Sequence, residues 1–238
     1  MPATAPTLSI ETLTTQAQQG DVNAQYQLGN LYADHVNLAT YDFTAAMNWL
    51  TQAATAGHVR AQVALGHLYT AGDHTRPREC QDGGGHEGSD SCETIKWFRC
   101  AAESGDAEAQ YEMGMACLCG DGVDEDPREA VKWFLKAAEQ GEVSAQLALA
   151  EVYSHGDLGK PDYEEAIRWA RKAVEGGNEA AEPLLGRLLR EGILDEFTRA
   201  YKAGGSAAQW VNNTFGPAAM DCLHSPMQDV YVSFEDEN

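Results

Sequence analysis

Small and apolar residues recur along the chain at spacings that gather them on one side of a helix. Counting from an alanine as position 0, the same order of residues appears five times: Leu or Met at position 4, a small residue at 5, and apolar or aromatic residues at 7 and 8. The copies start at Ala24 (Leu28, Gly29, Leu31, Tyr32), Ala61 (Leu65, Gly66, Leu68, Tyr69), Ala109 (Met113, Gly114, Ala116, Cys117), Ala145 (Leu149, Ala150, Val152, Tyr153) and Ala181 (Leu185, Gly186, Leu188, Leu189). Positions 0, 4, 7 and 8 share one helical face, so each copy predicts an amphipathic helix, here helix A. The small residue at position 5 lets a neighbouring helix come close. A second element, helix B, is marked by Trp49, Trp97, Trp133 and Trp169. Each Trp is followed by Ala four residues on, by Gly eight on, and by the opening Ala of the next helix A twelve on. That Gly suits the left-handed conformation that stops a helix.

The unit is therefore helix A, a loop, helix B and a Gly turn, with lengths of 37, 48, 36 and 36 residues between opening alanines. The Trp-to-Ala distance never changes, so all length variation falls in the A–B loop, as a stacked solenoid tolerates. The third copy is the most complete: Ala109-Gln110-Tyr111-Glu112-Met113-Gly114, Gly120-Asp121-Gly122-Val123, Asp126, Glu129-Ala130, Lys132-Trp133-Phe134, Lys136-Ala137-Ala138 and Gly141. These residues resemble the Sel1-like repeat, a relative of the tetratricopeptide repeat, over about residues 8 to 192. Cys117 in place of Tyr, Ala150 in place of Gly, and an insertion in the second copy depart from the pattern.

The resemblance implies an all-α fold, a right-handed α-solenoid of about four and a half helix pairs with capping helices. It also implies a non-catalytic role in protein–protein interaction, since such proteins serve as adaptors, virulence factors and regulators. Three regions are expected: residues 1–20, a tail and capping helix; 21–192, the repeats, with an insertion at about 73–91; and 193–238, degenerate capping helices and an acidic tail. Leu8 to Gln19 reads as a lone helix B without Trp. Leu194 to Ala203 reads as a degenerate fifth helix B with Phe197 at the Trp place, and Ala207 to Phe215 as a helix packing Trp210 over the last repeat.

Charge narrows the partners. The 238 residues hold 16 Lys+Arg against 37 Asp+Glu, a net charge of −21. Nucleic acid and anionic membranes are poor partners for such a chain, and a protein with a basic surface is a good one. No run approaches the roughly 20 apolar residues of a membrane span. The start, Met1 to Thr7, lacks the basic and apolar regions of a signal peptide, so a cytoplasmic location is expected. No phosphate-cradling loop or Gly-x-Ser-x-Gly elbow occurs, and the paired carboxylates sit where helix starts favour them. No enzyme activity, cofactor or small-molecule substrate is expected.

Six scattered cysteines do not form a disulfide framework. The insertion carries His74, Cys80, His86 and Cys92 at a regular spacing of six, the ligand types of a tetrahedral zinc site. That spacing fits no finger pattern, and Gly83-Gly84-Gly85 reads as open loop. An acidic loop is therefore the reading, with zinc or a Cys80–Cys92 disulfide as alternatives. Cys100 and Cys117 read as core residues. The four Trp read as stacking residues between repeats, with Trp133→Ala expected to cost at least about 3 kcal/mol.

On helix A, positions 2 and 6 point away from the buried stripe. They hold Tyr26 and Asn30, Val63 and His67, Tyr111 and Met115, Leu147 and Glu151, a mixed apolar and polar strip. These eight residues are the expected partner-binding set of a concave groove, unless position 2 packs against the adjacent helix A. The reading is an adaptor or scaffold. The alternatives are an acidic sequestering inhibitor, such as a bacterial immunity protein neutralising a cognate toxin, and a metal-binding protein using the 74–92 insertion.

Overall fold

The computed structural model describes residues 10–34, 40–71 and 89–202. His74, Cys80, His86, the Trp210 helix and the acidic tail lie outside the described residues, as does the side chain of Cys92. The described residues form an all-α solenoid of paired helices: α1 (Ile10–Gln18), α2 (Val22–Ala33), α3 (Phe43–Thr55), α4 (Val59–Ala71), α5 (Ser89–Glu103), α6 (Ala107–Cys119), α7 (Pro127–Glu139), α8 (Val143–His155), α9 (Tyr163–Glu175) and α10 (Ala181–Lys202). Each helix packs on the next in chain order, and α2 also touches α4. The A helices are α2, α4, α6, α8 and the start of α10. The B helices are α1, α3, α5, α7 and α9.

One turn, used five times, converts helix B into helix A. Gly20, Gly57, Gly105, Gly141 and Gly177 all have φ between 84° and 95°, open to Gly at little cost. Around Gly141, for example, its own N–H donates to Ala138 O and the Glu142 N–H to Ala137 O, satisfying carbonyls at the helix end. The residue after the Gly then caps the next helix; Asp106 Oδ1, for instance, accepts from Ala109 N–H. A buried glutamine clamps the same corner. Gln25, Gln62, Gln110 and Gln146 each donate Nε2–H to a carbonyl of the preceding helix B, namely those of Ala17, Ala54, Ala102 and Ala138.

The A–B loops close just as regularly. The N–H groups of Asp42, Asp126 and Asp162 donate to the carbonyls of Tyr32, Cys117 and Tyr153, the position-8 residues of helix A. The side chains of the same three aspartates cap α3, α7 and α9.

Packing within each pair depends on the small residue at position 5. A Cβ on Gly29, Gly66 or Gly114 would lie 2.5–2.6 Å from the side chain of Leu50, Phe98 or Phe134, respectively. Each of those is the residue after the repeat's Trp. In the fourth pair Ala150 replaces Gly, and the corresponding residue is the small Ala170; both are buried. Leu50 and Phe134 are wholly buried, whereas Trp49 and Trp133 are only partly so. The residue after Trp, more than Trp itself, is thus the plug of these pairs.

Three expectations change. Helix α10 runs unbroken for 22 residues, so Leu194–Ala203 is no separate helix B. Gly192 lies against α9, where a Cβ would come to 3.4 Å from both Tyr163 and Ile167, an ordinary contact. Cys100 is exposed rather than core, because it takes the place three after Trp97, where Lys136 and Lys172 stand in later repeats; Cys117 is buried as expected. Helix α5 begins at Ser89, inside the range assigned to the insertion.

Because α4 and α5 pack together as the other pairs do, removing residues 81–88 should leave the array folded, since loop length costs little. The far-ultraviolet circular dichroism of the deletion variant should match the wild type. A loss of helix would show that the loop is structural.

Candidate functional site

The eight residues at positions 2 and 6 divide into two rows. At position 6, Asn30, His67 and Glu151 are exposed and Met115 is partly buried. At position 2, Val63 is 6% exposed and belongs to the core with Ile95 and Phe98. Tyr26, Tyr111 and Leu147 are partly buried against neighbouring core clusters. Position 2 is therefore packed both within its own repeat and against the next, with an open edge, and Val63 offers no free surface.

Helix α6 is the centre of the arrangement. Its Glu108 Oε1 lies 2.9 Å from His67 Nε2 on α4, joining the second and third repeats. The His67 ring meets Phe98 edge-on at 5.2 Å. Tyr111 packs its ring 5.9 Å from that of Phe134. Burial raises the Tyr111 phenol above its ordinary pKa, and Glu112, Glu142, Glu151 and Cys119 push it further in the same direction. Burial also raises the carboxyl of Glu112; His67 opposes that shift and Glu108 adds to it. Tyr111 and Glu112 are thus half-buried among carboxylates contributed by α6, the start of α8 and its exposed face.

The two sides of the pairs differ in charge. Helices α2, α4, α6 and α8 together hold one Lys or Arg, namely Arg60. Helices α5, α7 and α9 hold Lys96, Arg99, Arg128, Lys132, Lys136, Arg168, Arg171 and Lys172. On these B helices the cations pair locally, as Lys132 with Glu129 at 2.7 Å, or lie over Trp, as Lys136 over Trp133 at 3.9 Å. The pattern of positions 2 and 6 does not reach Glu108 and Glu142. Their signal was this partition of Lys and Arg between A and B helices, which appears only when charges are counted helix by helix.

Among the described residues no group of three or more His, Cys, Asp or Glu is placed to hold a metal ion, and no helix is long and apolar enough to cross a membrane.

Comparison with known proteins follows the repeats. The family model of the Sel1 repeat matches residues 22–58, 89–106, 107–142 and 143–178. A Sel1 repeat protein from Oxalobacter formigenes is 28% identical over 72% of this chain and 65% of its own, with a TM-score of 0.60. A protective antigen of uropathogenic Escherichia coli with the same repeat fold is 28% identical over 84% of this chain and 44% of its own, also at 0.60. This chain thus spans less than two thirds of either protein's length. A Pseudomonas aeruginosa immunity protein matches at 17% identity and a TM-score of 0.40, a distance at which the match says nothing of role. No curated protein matches the chain.

Proposed function

The chain belongs to the Sel1 repeat family, a non-catalytic scaffold fold, and from that premise we propose that it is an adaptor that receives a basic segment of another protein along its A-helix face. The observation that carries this reading is the charge partition: one cation on four A helices, with Glu112, Glu142 and Glu151 gathered around Tyr111 and Glu108 beside Glu112. The raised pKa of Glu112 means that its charged form is disfavoured in the free protein. A lysine or arginine brought by a partner relieves that penalty. Asn30, His67 and Met115 extend the same face, and the negative field speeds association with a basic partner.

The test begins with a partner captured from the native host by the purified full chain. Glu112→Gln and Glu151→Gln should each weaken its binding by about 1–3 kcal/mol, and association should slow as salt rises. Glu139→Gln on α7 serves as the control and should bind like the wild type. Glu112→Gln should also leave the melting temperature unchanged or raise it at neutral pH. The sign follows from the raised pKa: the stability lost when Glu112 ionises is lost as pH rises, and Gln removes that loss. Unchanged affinity in both variants would move the binding surface elsewhere.

The net charge of −21 favours a second reading, a stoichiometric inhibitor of a basic toxin. A toxin gene beside this one, with one-to-one inhibition by the purified protein, would carry it.

A further inference from the structure

Helix α4 is capped by an imidazole where its counterparts are capped by oxygen. Asp21, Asp106 and Glu142 accept first-turn N–H groups of α2, α6 and α8, and Asn178 Oδ1 accepts from Ala180 N–H ahead of α10. At the equivalent place His58 Nδ1 lies 3.1 Å from Ala61 N–H and accepts from it. That nitrogen must hold a lone pair, so the ring hydrogen sits on Nε2. Nε2 in turn donates to Asn23 Oδ1 on α2, 3.2 Å away. The ring stacks on Tyr26 with centroids 4.5 Å apart and planes 26° apart. One neutral tautomer therefore makes both bonds and ties the cap of the second repeat to helix A of the first.

We infer that His58 is a proton-sensitive joint between the first and second repeats. A proton taken up at Nδ1 turns the acceptor into a donor, removes the Ala61 bond, and sets a positive charge at the positive end of α4. The packed elements offer little to hold that charge. Helix α3 carries no charged residue, and α2 contributes Tyr26 and Tyr32. Helix α4 contributes Arg60, His67 and Tyr69, and the nearby carboxylate, Asp21, is engaged with Asn23 and Ala24 N–H. In a solenoid the effect stays local, since each repeat leans only on its neighbours. Acid thus loosens the Tyr26–Asn30 end of the A-helix face and leaves α6 to α9 as they are. His67 works in the opposite sense, because protonation strengthens its pair with Glu108.

The test compares thermal melts of the full chain at pH 7.5 and 5.5. Asp keeps its charge and its cap over this interval. The wild type should therefore lose about 2–4 °C more than His58→Asp, the shift expected of one helix cap in a chain of this size. His67→Gln should retain that extra loss. Equal pH dependence in the wild type and His58→Asp would overturn the inference. Nitrogen-15 shifts of the His58 ring test it without a variant. At pH 7.5 Nδ1 should show the signature of a lone pair, and the Ala61 amide should move with the same midpoint as the ring. A ring with hydrogen on Nδ1 at pH 7.5 would equally overturn it.

Discussion

Phe134→Ala should lower the unfolding free energy by about 3–5 kcal/mol, the range for emptying a buried aromatic site. The ring is wholly buried in the core cluster that runs from α6 to α10, and it fills the notch left by Gly114 on α6. The site cannot collapse easily, because repeats on both sides hold α6 and α7 in place. Gly114→Ala tests the same contact from the other side. Alanine is the better helix former by up to about 1 kcal/mol. Its Cβ, however, would lie 2.5 Å from the ring, and such overpacking costs about 1–3 kcal/mol. In the Phe134→Ala background the ring is gone, so the same Gly114→Ala change should become neutral or stabilising. The fourth repeat already uses that combination in Ala150 and Ala170. Urea titration of the four proteins gives the coupling directly. Additive losses would mean that Gly114 and Phe134 do not share one packing site.

Where the sequence was legible, one physical solution had been repeated. The same Gly turn, the same small residue at position 5 and the same Trp register appear in four successive pairs, and a repeated solution leaves a period that one chain reveals by itself. The end of the array has no such period. Leu194–Ala203 offered Phe197 at the Trp place. A separate helix also needs a break before it, and between Arg187 and Lys202 there is no Pro, while the lone Gly192 is taken into the helix. The pairs Arg187–Glu191 and Asp195–Arg199 lie on either side of the expected break and support helix on both sides of it. The candidate face was half legible. Periodicity within one helix finds the stripe turned toward its own partner, and position 6 was correctly left outside it. Position 2 is partly or wholly packed against neighbouring helices, the alternative the sequence left open, and the pattern within one helix does not decide between the two. Val63 shows the consequence most plainly, since a residue placed on the surface is core.

Trp169→Ala should cost more than Trp133→Ala, and partial exposure lowers the cost of Trp133→Ala below the value of at least about 3 kcal/mol expected from the sequence. Trp133 stands in the most complete repeat, yet it is only partly buried; one face carries Lys136 at 3.9 Å, a contact open to water. Trp169 is 2% exposed and packs in one cluster with Ala145, Leu149, Leu184 and Leu188. Its removal should cost about 3–5 kcal/mol, and that of Trp133 about 2–3 kcal/mol, because partly exposed surface returns less on burial. The cation contacts do not reverse that order. Lys172 and Arg168 lie over Trp169 at 4.1 and 5.1 Å, so each ring has such a contact, worth about 0.5–1 kcal/mol at exposed sites. The buried Nε1 of Trp169 has no hydrogen-bond partner among the described residues, and an orphaned buried donor costs about 1–3 kcal/mol. Trp169→Phe removes that orphan donor while keeping most of the packing, so it should lose much less than Trp169→Ala. The loss should also spread to α10, which packs on α9 and has α9 as its support among the described helices. Amide exchange in α10 should therefore rise in Trp169→Ala and stay at its wild-type rate in Trp133→Ala. Equal melting temperatures for the two alanine variants would show that burial of the ring does not set the strength of these junctions.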